Sequence, residues 1–82
     1  MLKITVLYFA QAQEHCGCPL ETIEIQRDTN TSAVRNLLAQ RHPSLAELLP
    51  HCRLAVDQSF VDGPLILTDG AELAVIPPVS GG

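Results

Sequence analysis

The sequence predicts an α+β domain in which a mixed sheet of about five strands carries one main helix and a short second helix. Three observations carry this prediction. Short apolar segments with a period of two recur through the chain, one segment repeats at helical spacing, and turn residues separate them. The order reads β-β-α-(short α)-β-β-β, and a helix laid on one sheet face is how such a string buries its apolar residues.

Each element has its own signal. In "LKITVLYFA", Leu2, Ile4, Val6 and Tyr8 alternate with Lys3 and Thr5 before Leu7 and Phe9 make both sides apolar, which reads as the first strand. "QEHCGCP" reads as a turn-rich connector, short enough for a hairpin. It leads to a second strand, "LETIEIQ", where Ile23 and Ile25 oppose Glu24 and Gln26. A helix is predicted over Thr31–His42: Thr31 can cap its first N–H groups, Val34, Leu37, Leu38 and Arg41 form a stripe, and Pro43 stops it. Ser44 and Glu47 have capping-box spacing, which predicts the short second helix in "SLAELLP". "RLAV" is the third strand, "DQS" a turn, and "FV" starts a short fourth strand. Thr68-Asp69-Gly70 turns the chain into the last strand, "AELAVI". No repeat or linker interrupts this order, so residues 1–76 form one domain and residues 77–82 an extended tail.

Composition narrows the function. The 82 residues are 46% hydrophobic and 17% charged, which suits one small domain with a modest core. Nine acidic residues against five basic ones leave a net charge of −4, which argues against a nucleic-acid partner, because phosphates need clustered Lys and Arg. Cys16, Cys18 and Cys52 are odd in number, and the first two are too close for an ordinary disulfide framework. Free thiols in a reducing compartment are the expectation. Together with His15 and His51 they fit no common zinc spacing, so no metal site is expected. Ala10-Gln11-Ala12 mimics a signal-peptide cleavage site, but the apolar run before it is short and reads better as a strand. No stretch approaches a membrane span. A cytoplasmic protein with no membrane partner is expected.

Two features remain. The ends of the first strand (Leu7, Tyr8, Phe9) and of the last (Leu73, Ala74, Val75, Ile76) are apolar on both sides, although one helix covers only one sheet face. Either loops bury the second face or it is a partner surface, and the tail favours the partner surface. That tail reads Pro77-Pro78-Val79-Ser80-Gly81-Gly82. The prolines end sheet pairing and favour an extended path, giving a reach of about 20 Å. Gly81 and Gly82 can enter a channel too narrow for a Cβ. An ATP-dependent partner could convert a carboxylate there into an acyl-adenylate. Attack by sulfur would then leave a thiocarboxylate, and attack by an amine would leave an amide.

Over nearly its whole length the chain resembles the small subunit of molybdopterin synthase, a β-grasp (ubiquitin-like) sulfur carrier. The resemblance rests on "LYFAQAQEHCG", "AVDQSFV", "LTDGAELAVIPPV" and "SGG". It implies that Gly82 is the reactive residue, adenylated by an ATP-using activating enzyme and converted to a thiocarboxylate, with ATP serving that enzyme and no cofactor bound permanently. It implies that the tail enters the large subunit of a heterotetramer, where sulfur passes to cyclic pyranopterin monophosphate to make molybdopterin. The acid and base groups would belong to the large subunit. Phe9, Phe60 and Ile76 are expected to form an apolar docking patch at the root of the tail. Two positions depart from the family: Gln13 stands where Arg is common and loses a cation, and Asp57 stands for Asn but can still cap the turn it precedes. Sulfur carriers for thiamine or cysteine synthesis, and ubiquitin-like protein modifiers, share the fold and the Gly-Gly end and are the alternatives.

Overall fold

Residues 1–78 are described by a computed structural model of the chain. Strand β1 (Leu2–Tyr8) is followed by helix α1 (Ala10–Cys16), strand β2 (Leu20–Ile25) and helix α2 (Thr31–Arg41). Two short 3-10 turns come next, Pro43–Leu45 and Leu49–His51, and then β3 (Arg53–Val56), β4 (Ser59–Phe60) and β5 (Glu72–Ile76). The strands make one sheet in the order β2-β1-β5-β3-β4. β1 is antiparallel to β2 and parallel to β5, while β3 is antiparallel to both β4 and β5.

The first and last strands are therefore central neighbours. Val6 lies opposite Leu73 and Tyr8 opposite Val75. A small clamp sets this register. Gly70 donates its N–H to the Lys3 carbonyl at 2.7 Å, and the Asp69 carboxylate accepts the Lys3 N–H at 2.9 Å. The turn itself closes with Ala71 N–H on the Thr68 carbonyl at 3.1 Å, and Gly70 takes φ 82°, which an L side chain rarely adopts.

Alternation sends Ile4, Val6, Tyr8, Ile23, Ile25, Leu54, Leu73 and Val75 into the core with Val34 and Leu38 of α2. Val34 and Leu38 are fully buried, and Leu37 packs at the margin. Arg41, the fourth member of the predicted stripe, is exposed.

Three local expectations are corrected. The connector after β1 is a helix, α1, whose Ala12 is completely buried and which ends on Gly17 in the left-handed conformation (φ 79°). The segment after Pro43 makes two 3-10 turns instead of a second helix, and the Ser44 hydroxyl donates to the His15 carbonyl at 2.8 Å. The cap of α2 is Asn30, whose side chain accepts the Ala33 N–H at 2.9 Å. Thr31 is buried instead, and its hydroxyl accepts the Leu65 N–H at 3.1 Å.

Asp57 also differs from expectation. Asp57 and Gln58 both have positive φ (49° and 72°), the signature of a tight two-residue hairpin between β3 and β4. The Asp57 carboxylate reaches across to accept the Glu72 N–H at 3.0 Å, so it ties the hairpin to β5 instead of capping its own turn.

Because Leu38 is buried on every side, Leu38→Ala should lower unfolding free energy by about 2–5 kcal/mol. Leu37→Ala, at the margin of the core, should cost clearly less. Urea denaturation of the two variants checks the ranking.

Candidate functional site

The sheet has one covered face and one bare one. On the bare face, Leu7 and Phe9 from the end of β1, Ala74 and Ile76 from β5, Ala55 from β3 and Phe60 from β4 line a shallow hollow of about 370 Å³, with Gln58 and Glu72 at its edge. Strand pairing puts these residues together: Leu7 lies opposite Ala74, and Ala55 opposite both Ala74 and Phe60. Phe9 is 46% exposed and Phe60 55% exposed. Large apolar side chains left this open in one concave patch have the composition of a docking surface.

Phe9, Phe60 and Ile76, the three residues singled out in the sequence, all line this hollow. The Arg53 guanidinium sits 3.9 Å above the Phe60 ring, a cation–π contact, and Arg53 pairs with Ile76 across β3 and β5. A positive group thus stands beside the last residue of β5. The sequence reading missed it, because nothing local to Arg53 marks it: its position is set by the β3–β5 register. Beyond Ile76, Pro77 is buried and Pro78 exposed. Val79, Ser80, Gly81 and Gly82 lie outside the described residues. Gln13 is exposed on α1.

The covered face holds a polar cluster at the same end of the sheet. Glu21 accepts from the Tyr8 hydroxyl at 3.3 Å, pairs with Arg41 at 2.9 Å and lies 3.1 Å from Nε2 of His42. The His42 ring meets Tyr8 edge-on, with centroids 5.7 Å apart. Burial, and then the nearby Glu21 charge, push the Tyr8 phenol far above its usual range, so it stays a proton donor to Glu21. Glu21 and His42 face inward at a sheet margin, where polar side chains can still find partners. Among the described residues no buried side-chain polar atom lacks one.

A family model described as the ThiS family matches residues 6–82. The chain belongs to the ThiS family. Within it, the chain is 36% identical to the Mycobacterium tuberculosis molybdopterin synthase sulfur carrier subunit, with all of both chains covered. It is 38% identical to the human molybdopterin synthase sulfur carrier subunit over all of this chain and 97% of that one. A Pyrococcus furiosus protein assigned as subunit 1 of a molybdopterin converting factor superposes with a TM-score of 0.88 at 25% identity, over 96% of this chain and all of that one. The resemblance read from the sequence and the β-grasp fold both stand.

For a ThiS-family chain the geometry separates two jobs. The bare face presents apolar area, and the covered face anchors the end of β1, which pairs with the end of β5. No helix among the described residues is long and apolar enough to cross a membrane.

Tyr8 is the only tyrosine, so phenolate absorbance reports on it alone. Its raised pKa means that the folded state keeps a proton which the unfolded chain loses near pH 10. Tyr8 should therefore contribute its full stability below about pH 10 and lose it progressively above. Phenolate formation should coincide with unfolding, and Tyr8→Phe should flatten that part of the stability profile. Ionisation of the phenol near pH 10 in the folded protein would contradict the buried Tyr8–Glu21 contact.

Proposed function

We propose that the chain is the sulfur-carrier subunit of molybdopterin synthase and that Gly82 carries the sulfur. One observation supports this most. β5 ends at Ile76, which lines an apolar hollow, and the sequence then continues as Pro77-Pro78-Val79-Ser80-Gly81-Gly82. The full-length likeness to named sulfur carrier subunits points the same way.

In this reading the Gly82 carboxylate attacks the α-phosphorus of ATP on an activating enzyme, and pyrophosphate leaves. A sulfur nucleophile then attacks the acyl carbon and AMP departs. A second thiol then attacks the donor's sulfur in the resulting acyl disulfide and leaves with it as a disulfide, so a thiocarboxylate remains, ionised at neutral pH and a soft nucleophile. The proline pair aims the base of the tail and reduces the freedom that docking must freeze out, by about 0.4–1 kcal/mol per proline. Glycines at the tip let the reactive group enter two narrow sites, one for activation and one for sulfur transfer to cyclic pyranopterin monophosphate. The bare face docks first the activating enzyme and then the large subunit, and the assembly is a heterotetramer. The proton-transfer groups for sulfur insertion belong to the large subunit.

Phe60→Asp places a charge in the hollow without touching the core. Binding to the large subunit should weaken by about 2 kcal/mol or more, measured by calorimetry, with the circular dichroism spectrum unchanged. Unaltered affinity in a folded variant would remove the hollow from the interface.

The tail is tested separately. Deleting Gly82 withdraws the reactive group by roughly 3.5 Å and should abolish both thiocarboxylate formation and molybdopterin synthesis. Gly81→Ala should lower them at least tenfold, about 1.4 kcal/mol of barrier. Intact mass after incubation with ATP, activating enzyme and sulfur source reads the first step. An amide-linked protein instead of a thiocarboxylate would make the chain a modifier.

A further inference from the structure

One constellation lies outside both the docking face and the tail. Cys16 closes α1, Cys18 follows Gly17, and their sulfurs are 3.8 Å apart. Gly17 is left-handed at φ 79°, and a Cβ there would meet nothing, so backbone conformation and not crowding accounts for the glycine. The turn it makes brings the two neighbouring thiols into contact. Both cysteines are half-buried and free. The Cys16 thiol donates to the Cys18 carbonyl at 3.1 Å, and the Cys18 thiol lies 3.9 Å from Glu21 Oε2.

We propose that Cys16 and Cys18 are a redox-active dithiol that closes reversibly to an intramolecular disulfide in exchange with a small-molecule disulfide such as oxidised glutathione. The Cys16 thiolate attacks one sulfur of the oxidant, forming a mixed disulfide and releasing one glutathione thiolate. Cys18, having lost its proton to solvent, then attacks the Cys16 sulfur. The Cys16–Cys18 bond forms, the mixed disulfide breaks, and the second glutathione leaves. Two cysteine thiols are oxidised and one oxidised glutathione is reduced to two thiols, so atoms and electrons balance.

The order of attack follows from the surroundings. Burial, the hydrogen bond and charge of Cys16, and the charge of Glu21 all push the Cys18 thiol up, which makes it the later nucleophile. Closure shortens the sulfur separation from 3.8 Å to about 2.05 Å, and Glu21 has Tyr8, Arg41 and His42 as partners besides Cys18. A bridge across a single residue closes a tight, strained loop and constrains the unfolded chain little. Strained, partly exposed disulfides are the easily reduced ones, so this bridge is a reversible modification and not a structural staple. Cys52 takes no part: it is buried, and its thiol donates to the Leu48 carbonyl at 3.4 Å.

The test equilibrates the purified full-length chain with reduced and oxidised glutathione over a range of ratios. The mixture is quenched in acid, and intact mass and maleimide labelling are measured after denaturation. Oxidising ratios should yield a monomer about 2 Da lighter, the two hydrogens lost. It should label at Cys52 alone, and reducing ratios should restore labelling at Cys16 and Cys18. Proteolytic mapping of the unmutated chain should find the bridge within the peptide that holds both Cys16 and Cys18, so the assignment does not depend on any variant folding. Cys52→Ala should keep the lighter species, and Cys18→Ser should lose it and stop at a glutathione adduct. A stable glutathione adduct on the unmutated chain, a disulfide-linked dimer, or free thiols at every ratio would each overturn the proposal.

Discussion

The parallel pairing of β1 with β5 is the constraint on which the rest of the molecule depends. Parallel neighbours cannot be joined by a tight hairpin, so the chain between them must cross over the sheet, and α2 lies within that crossover. The crossover explains why a core of Val34 and Leu38 forms against Ile4, Val6, Leu73 and Val75, residues far apart in sequence. It also sets direction. Since β5 runs alongside β1 toward Tyr8 and Phe9, the chain must leave the sheet at the end where Phe9 stands. The Phe9 N–H still reaches the Val75 carbonyl at 3.3 Å, one step past the regular ladder.

The asymmetry of the sheet follows from size. A chain this short has one long helix to spend on covering, and α2 covers one face. The other face must be solvated or docked. Along most of β2 it is polar, with Thr22 and Glu24 exposed, but across the ends of β1 and β5 and onto β4 it is apolar. On that surface Arg53 lies over the Phe60 ring, which is still 55% exposed. The surface remains a place where burial by a partner would be favourable, at ~25 cal/mol for each Å² of apolar area removed from water.

At the same end of the sheet the covered face carries groups that could have disrupted the core. Tyr8, Glu21 and His42 are polar, yet each finds a partner within the cluster. The Arg41–Glu21 pair, half open to solvent on the arginine side, contributes little by itself, at most about 1 kcal/mol. Its effect is to fix Glu21 over Tyr8 and so hold the last residue of β1 in place. Cys18 lies within reach of the same carboxylate, so the dithiol turn and the strand end share one contact point.

Much of this was legible residue by residue. Period-two alternation marked β1 and β2, because a strand with one face in the core must alternate, while β3, β4 and β5 were read from apolar runs set beside turn residues. Thr68-Asp69-Gly70 announced its turn, and the Val34–Leu37–Leu38 stripe its helix. Phe9, Phe60 and Ile76 were singled out through apolar excess and resemblance. Helix α1 was missed although Ala10-Gln11-Ala12-Gln13-Glu14 are good helix formers and Gly17 is a normal stop. Seven residues are too few for a periodic signal, and the helix holds because Ala12 is buried against the sheet. Asn30 displaced Thr31 as cap for a similar reason: burying Thr31 against the 65–66 segment moved the helix start by one residue. Strand order, the clustering of Glu21 with Tyr8, Arg41 and His42, and the placing of Arg53 over Phe60 depend on contacts between residues distant in the chain. Local pattern specifies which face of an element is apolar. Only packing decides which other element that face meets, because the free energy of burial does not depend on sequence separation.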